Sequence, residues 1–128
     1  MKELTRAEEQ VMQIIWKIEK GFVKDILERF PDPKPAYNTV STIVRILEKK
    51  GFVGHKAYGK SHQYFPVISK KEYTRTFLKG FVSGYFSNSY KQMVSFFSKE
   101  NNLSIVEMEE IKQMIEQQIE QQKGQEAR

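Results

Sequence analysis

The chain contains no cysteine, which excludes disulfides and thiolate metal sites and agrees with a reducing, cytoplasmic setting. No apolar run approaches the roughly 18 residues that a membrane span needs. The opening MKELTRAEEQ mixes both charge signs and lacks the apolar centre of a signal peptide. We therefore expect no membrane insertion and a cytoplasmic location. Histidine is scarce. His55 and His62 are the only two, and neither a nucleophile elbow nor a carboxylate cluster accompanies them. The spacings of zinc-binding His and Cys are missing as well. The sequence reads as neither an enzyme nor a metal or cofactor protein, and both histidines are expected as exposed or phosphate-proximal residues. There is no internal repeat.

What is present begins with a charge asymmetry. The 128 residues carry a net charge of +5, and its placement says more than its sum. Residues 34 to 62 hold Lys34, Arg45, Lys49, Lys50, Lys56 and Lys60 against the single acid Glu48, whereas from Ser98 onward seven Glu face three Lys and one Arg. A basic middle beside an acidic end is the footprint of a polyanion-binding module with a separate partner surface. The length suits one average domain, or a small domain with a dimerising appendage.

Helical spacing organises most of the chain. Thr5 with Glu8 is a capping-box start, followed by Ala7, Val11, Ile14, Ile15 and Ile18 at helical steps, with Gly21 as the stop and Trp16 at the edge of the core. FVKDILERF gives a short second helix, ended by the three prolines of PDPKP. A third helix follows over residues 36–50, closed by Gly51 in the left-handed position. Period-two patterning then takes over, with FVGHKAY and SHQYFPV flanking GKS as strand, tight turn and strand. Ser69 with Glu72 opens a helix through Tyr73, Phe77, Phe81 and Tyr85, and a short helix runs from about Tyr90 to Ser98. Ser104 with Glu107 then opens a last helix carrying Ile105, Met108, Ile111, Ile115 and Ile119. Its tail, EQQKGQEAR, is expected to fray.

The third helix carries two faces. Val40, Ile43, Val44 and Leu47 form a buried stripe, while Asn38, Ser41, Thr42 and Arg45 share a second face that Lys49 extends. Asn, Ser and Thr are mediocre helix formers, so an exposed stripe of them carries a small stability cost. The fold class expected is mostly α with a small β-hairpin: a winged helix-turn-helix domain over 1–68, then a three-helix dimerisation domain over 69–128. In a winged helix the polar stripe faces base edges in the major groove. Lys56 and Lys60 on the wing then lie against phosphates. The dimer seam is expected at Tyr73, Phe77, Phe81 and Tyr85 and along Met108, Ile111, Ile115 and Ile119. The competing reading is a winged-helix protein-interaction module that does not read DNA.

LTRAEEQVMQIIW, NTVSTIVRILEKKGF, GKSHQYFPVISKKEY and NNLSIVEMEEIKQMI, taken together, make the chain resemble the penicillinase-repressor family of bacterial transcription factors. That resemblance implies a homodimeric repressor on a palindromic double-stranded DNA operator, controlling antibiotic-resistance genes. It places Asn38, Thr39, Ser41 and Thr42 at the bases, and the polar stripe independently adds Arg45. Lys34, Tyr37, Lys49, Lys56 and Lys60 are then expected at the DNA backbone. In the family an Arg commonly precedes the Leu matching Leu47; here Ile46 stands there and the Arg is Arg45. Antibiotic-responsive members lose repression by proteolysis at an Asn-Phe bond, driven by a membrane sensor-transducer protease system. The matching pair here is Phe96-Phe97, the candidate proteolytic switch. Without cysteine, the thiolate switch of copper-responsive members is excluded.

Overall fold

A computed structural model of the chain describes residues 3–100 and 103–126. The elements run α1 (Arg6–Ile18), α2 (Val23–Glu28), α3 (Tyr37–Lys49), β1 (Val53–Tyr58), β2 (Ser61–Pro66), α4 (Lys70–Phe86), α5 (Tyr90–Lys99) and α6 (Ile105–Glu126). The fold is mostly helical with one antiparallel hairpin, as the patterning indicated. Two compact units divide the chain, Met1–Leu78 and Lys79–Arg128.

In the first unit Thr5 caps α1 reciprocally. Its hydroxyl accepts from the Glu8 N–H at 3.2 Å, and the Glu8 carboxylate accepts from the Thr5 N–H at 2.9 Å. The buried face of α1 is Glu8, Val11, Met12 and Ile15. The expected stripe is thus turned: Ala7 is exposed and Ile14 and Ile18 are only half-buried. Lys50, at the end of α3, is the cause, since its ammonium lies 2.6 Å from the Glu8 carboxylate and makes an inward-facing acid tolerable.

Burial alone pushes the Glu8 carboxyl up, but the Lys50 hydrogen bond, the Thr5 N–H and the Lys50 charge together outweigh it and hold the group below the ordinary 4.5. A lowered folded value means stability that is present above the unfolded pKa and lost as pH falls through the folded one. Glu8→Gln is expected to cost about 1.5–3 kcal/mol at neutral pH, the range for hydrogen bonds to charged groups. In urea titrations its gap to the parent should close in acid; a gap independent of pH would remove the charge from the account.

α1 stops at Glu19, whose φ is 69°, and not at Gly21. Gly21 instead pairs with Tyr64 through N–H···O bonds of 2.9 and 2.8 Å. A Cβ there would come within 2.7 Å of Ile18 Cδ1 and 3.2 Å of the Asp25 Cβ, so the glycine leaves room for the α1 and α2 side chains that flank it. Gly51, with φ 85°, does occupy the left-handed position after α3. The hairpin register closes on Tyr58 and Ser61, leaving Gly59 and Lys60 as a two-residue loop with a positive φ at Gly59, the II′ arrangement. Val11, Met12, Ile15, Ile26, Val40, Val44, Leu47 and Phe52 form the fully buried core.

Trp16 sits half-buried at the edge of that core, its indole N–H donating to the Ile68 carbonyl at 2.9 Å. Tyr73 stacks beside it, with ring centroids 5.7 Å from both Trp16 and Phe52. The start of α4 therefore belongs to the first unit, and the compact units divide after Leu78 where the sequence reading put the boundary after Ile68. For the same reason Tyr73, expected at the dimer seam, is engaged by the core of its own chain.

The second unit is built from the end of α4 with α5 and α6. Ser89 and Ser104 cap the latter two, each hydroxyl accepting at 3.1 Å from the N–H three residues on. Ser69 caps α4 in the same way at 3.0 Å. α6 continues to Glu126, so residues 120–126 of the tail expected to fray are helical. Its Glu, Gln and Lys are good helix formers that carry one Gly124. Asn101, Asn102, Ala127 and Arg128 lie outside the described residues. Among those described, Val82 is the one buried hydrophobic residue of this unit, while Phe81, Tyr85, Phe96, Ile105, Ile115 and Ile119 stay exposed.

Candidate nucleic-acid interface

On α3 the core takes Val40, Val44 and Leu47, which turns Asn38, Thr42, Arg45 and Lys49 outward as exposed side chains, with Ser41 half-buried at the margin. Two bonds organise this stripe. The Thr42 hydroxyl donates to the Asn38 carbonyl at 2.9 Å, which leaves its lone pairs as acceptors. The Arg45 guanidinium donates to the Ser41 hydroxyl at 3.1 Å, which leaves Ser41 a proton to give. Thr39, one residue from Asn38 and so about 100° around the helix, departs from the stripe. It lines a separate cleft with Ala7, Phe30, Pro31 and Ile43.

The wing brings its cations beside this helix. Lys60 stands at the loop tip, and the Lys56 ammonium lies 5.3 Å from the centre of the Tyr58 ring. His55 and His62 occupy the opposite face of the ribbon from Lys56, since side chains alternate along a strand. Their rings stack at 4.0 Å. His55 Nδ1 is also 2.5 Å from the Glu48 carboxylate, which ties up the acid nearest the basic surface. Burial, then the Glu48 charge, pushes the neighbouring Tyr64 hydroxyl up, so it stays protonated. Among the described residues no cluster of His, Asp or Glu comes together to hold a metal.

Tyr37 is 53% exposed at the first turn of α3. With Lys24, Tyr58, Lys60 and His62 it lines a cleft of about 500 Å³ between helix and wing. Lys24 was not singled out from the sequence. Nothing local marks it; the Gly21–Tyr64 pairing, a tertiary contact, brings the start of α2 to the wing. Two expected cations are engaged elsewhere. Lys34 donates to the Glu28 and Phe30 carbonyls at 3.2 and 2.6 Å, closing the end of α2, and Lys50 is held by Glu8.

The profile of the penicillinase repressor family matches residues 4–117. The chain belongs to the penicillinase repressor family. Among its relatives, the methicillin resistance regulatory protein MecI of Staphylococcus aureus strain N315 is 27% identical over 114 residues, which cover 88% of this chain and 93% of that protein. The penicillinase repressor of Bacillus licheniformis is 25% identical over 116 residues, covering 90% and 91%. The solution structure of the DNA-binding domain of the repressor BlaI superposes with a TM-score of 0.49 at 27% identity, over 57% of this chain and 94% of that one. As a member of the penicillinase repressor family the chain is a transcriptional repressor and not an enzyme. None of its helices is long and apolar enough to cross a membrane, among the described residues.

Proposed function

We propose that the chain is a homodimeric repressor that binds a palindromic operator, reading bases with Asn38, Ser41, Thr42 and Arg45 and holding the backbone with Tyr37, Lys49, Lys56 and Lys60. The observation that carries this reading is the exposed, internally hydrogen-bonded polar stripe of α3 flanked by the cations of the wing. Thr39, which faces the separate cleft, is left out of this base-reading set. The regulated set consists of resistance genes, which the name of the methicillin resistance relative supports. The dimer forms through Phe77 near the end of the first unit and through Phe81, Tyr85, Met108, Ile111, Ile115 and Ile119 of the second. A membrane sensor-transducer protease system is the proposed relief signal, with Phe96-Phe97 as the cleavage pair. That pair lies inside α5, so cutting requires α5 to unwind locally.

Selection of bound sequences from a random duplex pool at near-physiological salt tests this function. An inverted repeat is the expected recovery. Folded, dimeric protein that selects no sequence would overturn it in favour of the interaction module.

Two substitutions separate reading from holding. Thr42→Ala is expected to relax operator preference and cost about 1–3 kcal/mol, the scale of a lost base contact. A sequence profile identical to the parent's would make Thr42 a bystander. Lys60→Ala should weaken all sequences alike and make the slope of log K against log salt shallower by about one. Each phosphate neutralised contributes a slope of about −0.9, so an unchanged slope would place Lys60 away from the backbone.

A further inference from the structure

Resting on the operator-binding reading above, we propose that Ile46 reads the 5-methyl group of a thymine in the major groove. Ile46 is 39% exposed and, among the described residues, is the exposed aliphatic side chain of α3. It is absent from the hydrophobic cluster that takes up its neighbours Ile43 and Leu47. An exposed Ile in mid-helix is a weaker helix former than Glu, Lys or Gln and leaves apolar surface in water. It lies one turn beyond Thr42 and one turn before Lys49, and residues at those spacings are neighbours on a helix surface. Ile46 therefore borders the polar stripe on its Thr42 flank, between that stripe and the half-buried Ile43.

The chemistry of that neighbourhood selects a base pair. Thr42 has given its hydroxyl proton to the Asn38 carbonyl, so Thr42 and Ile46 together offer acceptor lone pairs and apolar surface, and no donor. In the major groove an A·T pair presents the adenine N6 amino donor and the thymine methyl. A G·C pair presents the cytosine N4 donor and, like A·T, two acceptors that this pair of side chains does not serve, but it has no methyl, so the methyl is what separates the two pairs. The combination fits A·T, with Ile46 covering the methyl.

The test uses full-length protein and the selected operator, with each thymine replaced singly by deoxyuridine, which deletes the methyl and leaves every hydrogen-bonding group in place. At one thymine per half-site the parent should bind about fourfold more weakly, the equivalent of about 0.8 kcal/mol for one buried methylene-sized group. Ile46→Ala should abolish that difference at that thymine alone, with an unchanged urea midpoint reporting an intact fold. Thr42→Ser, which keeps a hydroxyl and loses a methyl, should retain it. No methyl-sensitive thymine, a sensitivity that persists in Ile46→Ala, or one lost in Thr42→Ser and kept in Ile46→Ala would each overturn the assignment while leaving operator binding standing. Failure of the operator reading registers separately, as selection of no sequence at all.

Discussion

Phe52→Ala is expected to lower folding stability by about 3–5 kcal/mol, the usual cost of truncating a buried Phe. Phe52 is fully buried and among the largest such side chains in the protein. It sits where α3 hands over to β1. Its N–H donates to the Leu47 carbonyl at 3.0 Å, and its own carbonyl accepts from the Val67 N–H at 2.8 Å. Its ring meets Tyr73 nearly edge-on, at an interplanar angle of 86°. One side chain thus sits among α3, the hairpin and the start of α4, and little around it can collapse to fill the space. Against a total of about 5–15 kcal/mol for a typical domain, the loss leaves a marginal protein. The urea midpoint measures it, with Phe52→Leu expected to lose less. A loss below about 1 kcal/mol for Phe52→Ala would contradict the packing described, given the usual Phe→Ala range. At low temperature, where the variant is still folded, the operator sequence it selects should be the parent's.

What could be read from the sequence divides along a physical line. Thr5, Ser69 and Ser104 announce helix starts because a cap bonds to backbone only three residues away. Gly51 announces an end for a similarly local reason, the left-handed φ after α3. The α3 stripe was legible because helical period alone separates Val40, Val44 and Leu47 from Asn38, Thr42 and Arg45. What escaped depends on partners distant in the chain. Glu8 turns inward because Lys50 meets it. Gly21 pairs with Tyr64 and does not end α1. Lys34 counts as a free cation until the carbonyls of α2 are seen to hold it. Tyr73 has the spacing of the dimer stripe, yet its ring is taken by Trp16 and Phe52. Ile46 shows the limit most sharply. Its neighbours Arg45 and Leu47 are assigned by period, but an apolar residue at the boundary between faces acquires meaning only once its exposure is known.

Glutamates at positions 115 and 119 together, Ile115→Glu with Ile119→Glu, are expected to weaken binding to the complete inverted repeat by about 10²–10⁴-fold, the scale of lost avidity between two linked sites. Both isoleucines are well exposed in the single chain, at 49% and 44%, so no core of the protomer is disturbed. Glu is also a good helix former, so α6 itself should persist by circular dichroism. In a two-fold dimer the same patch faces itself, so the added charges of the two protomers would be brought together in a seam emptied of water, where an unpaired charge is costly. The proposed consequence is a monomer that grips one half-site as well as the parent's protomer does, and loses only the second grip. Light scattering and titration of full and half operators separate the cases. A variant that stays dimeric would move the seam away from this stripe of α6. A monomer that binds the full repeat as tightly as the parent would remove the two-fold dimer from the proposed mechanism. The expected pattern, a large loss on the full repeat and none on the half-site, assigns operator affinity to the coupling of two recognition helices through the second unit. Because Val82 is the sole buried hydrophobic residue described there, the proposed pairing would supply the burial that the described residues of that unit do not provide within one protomer.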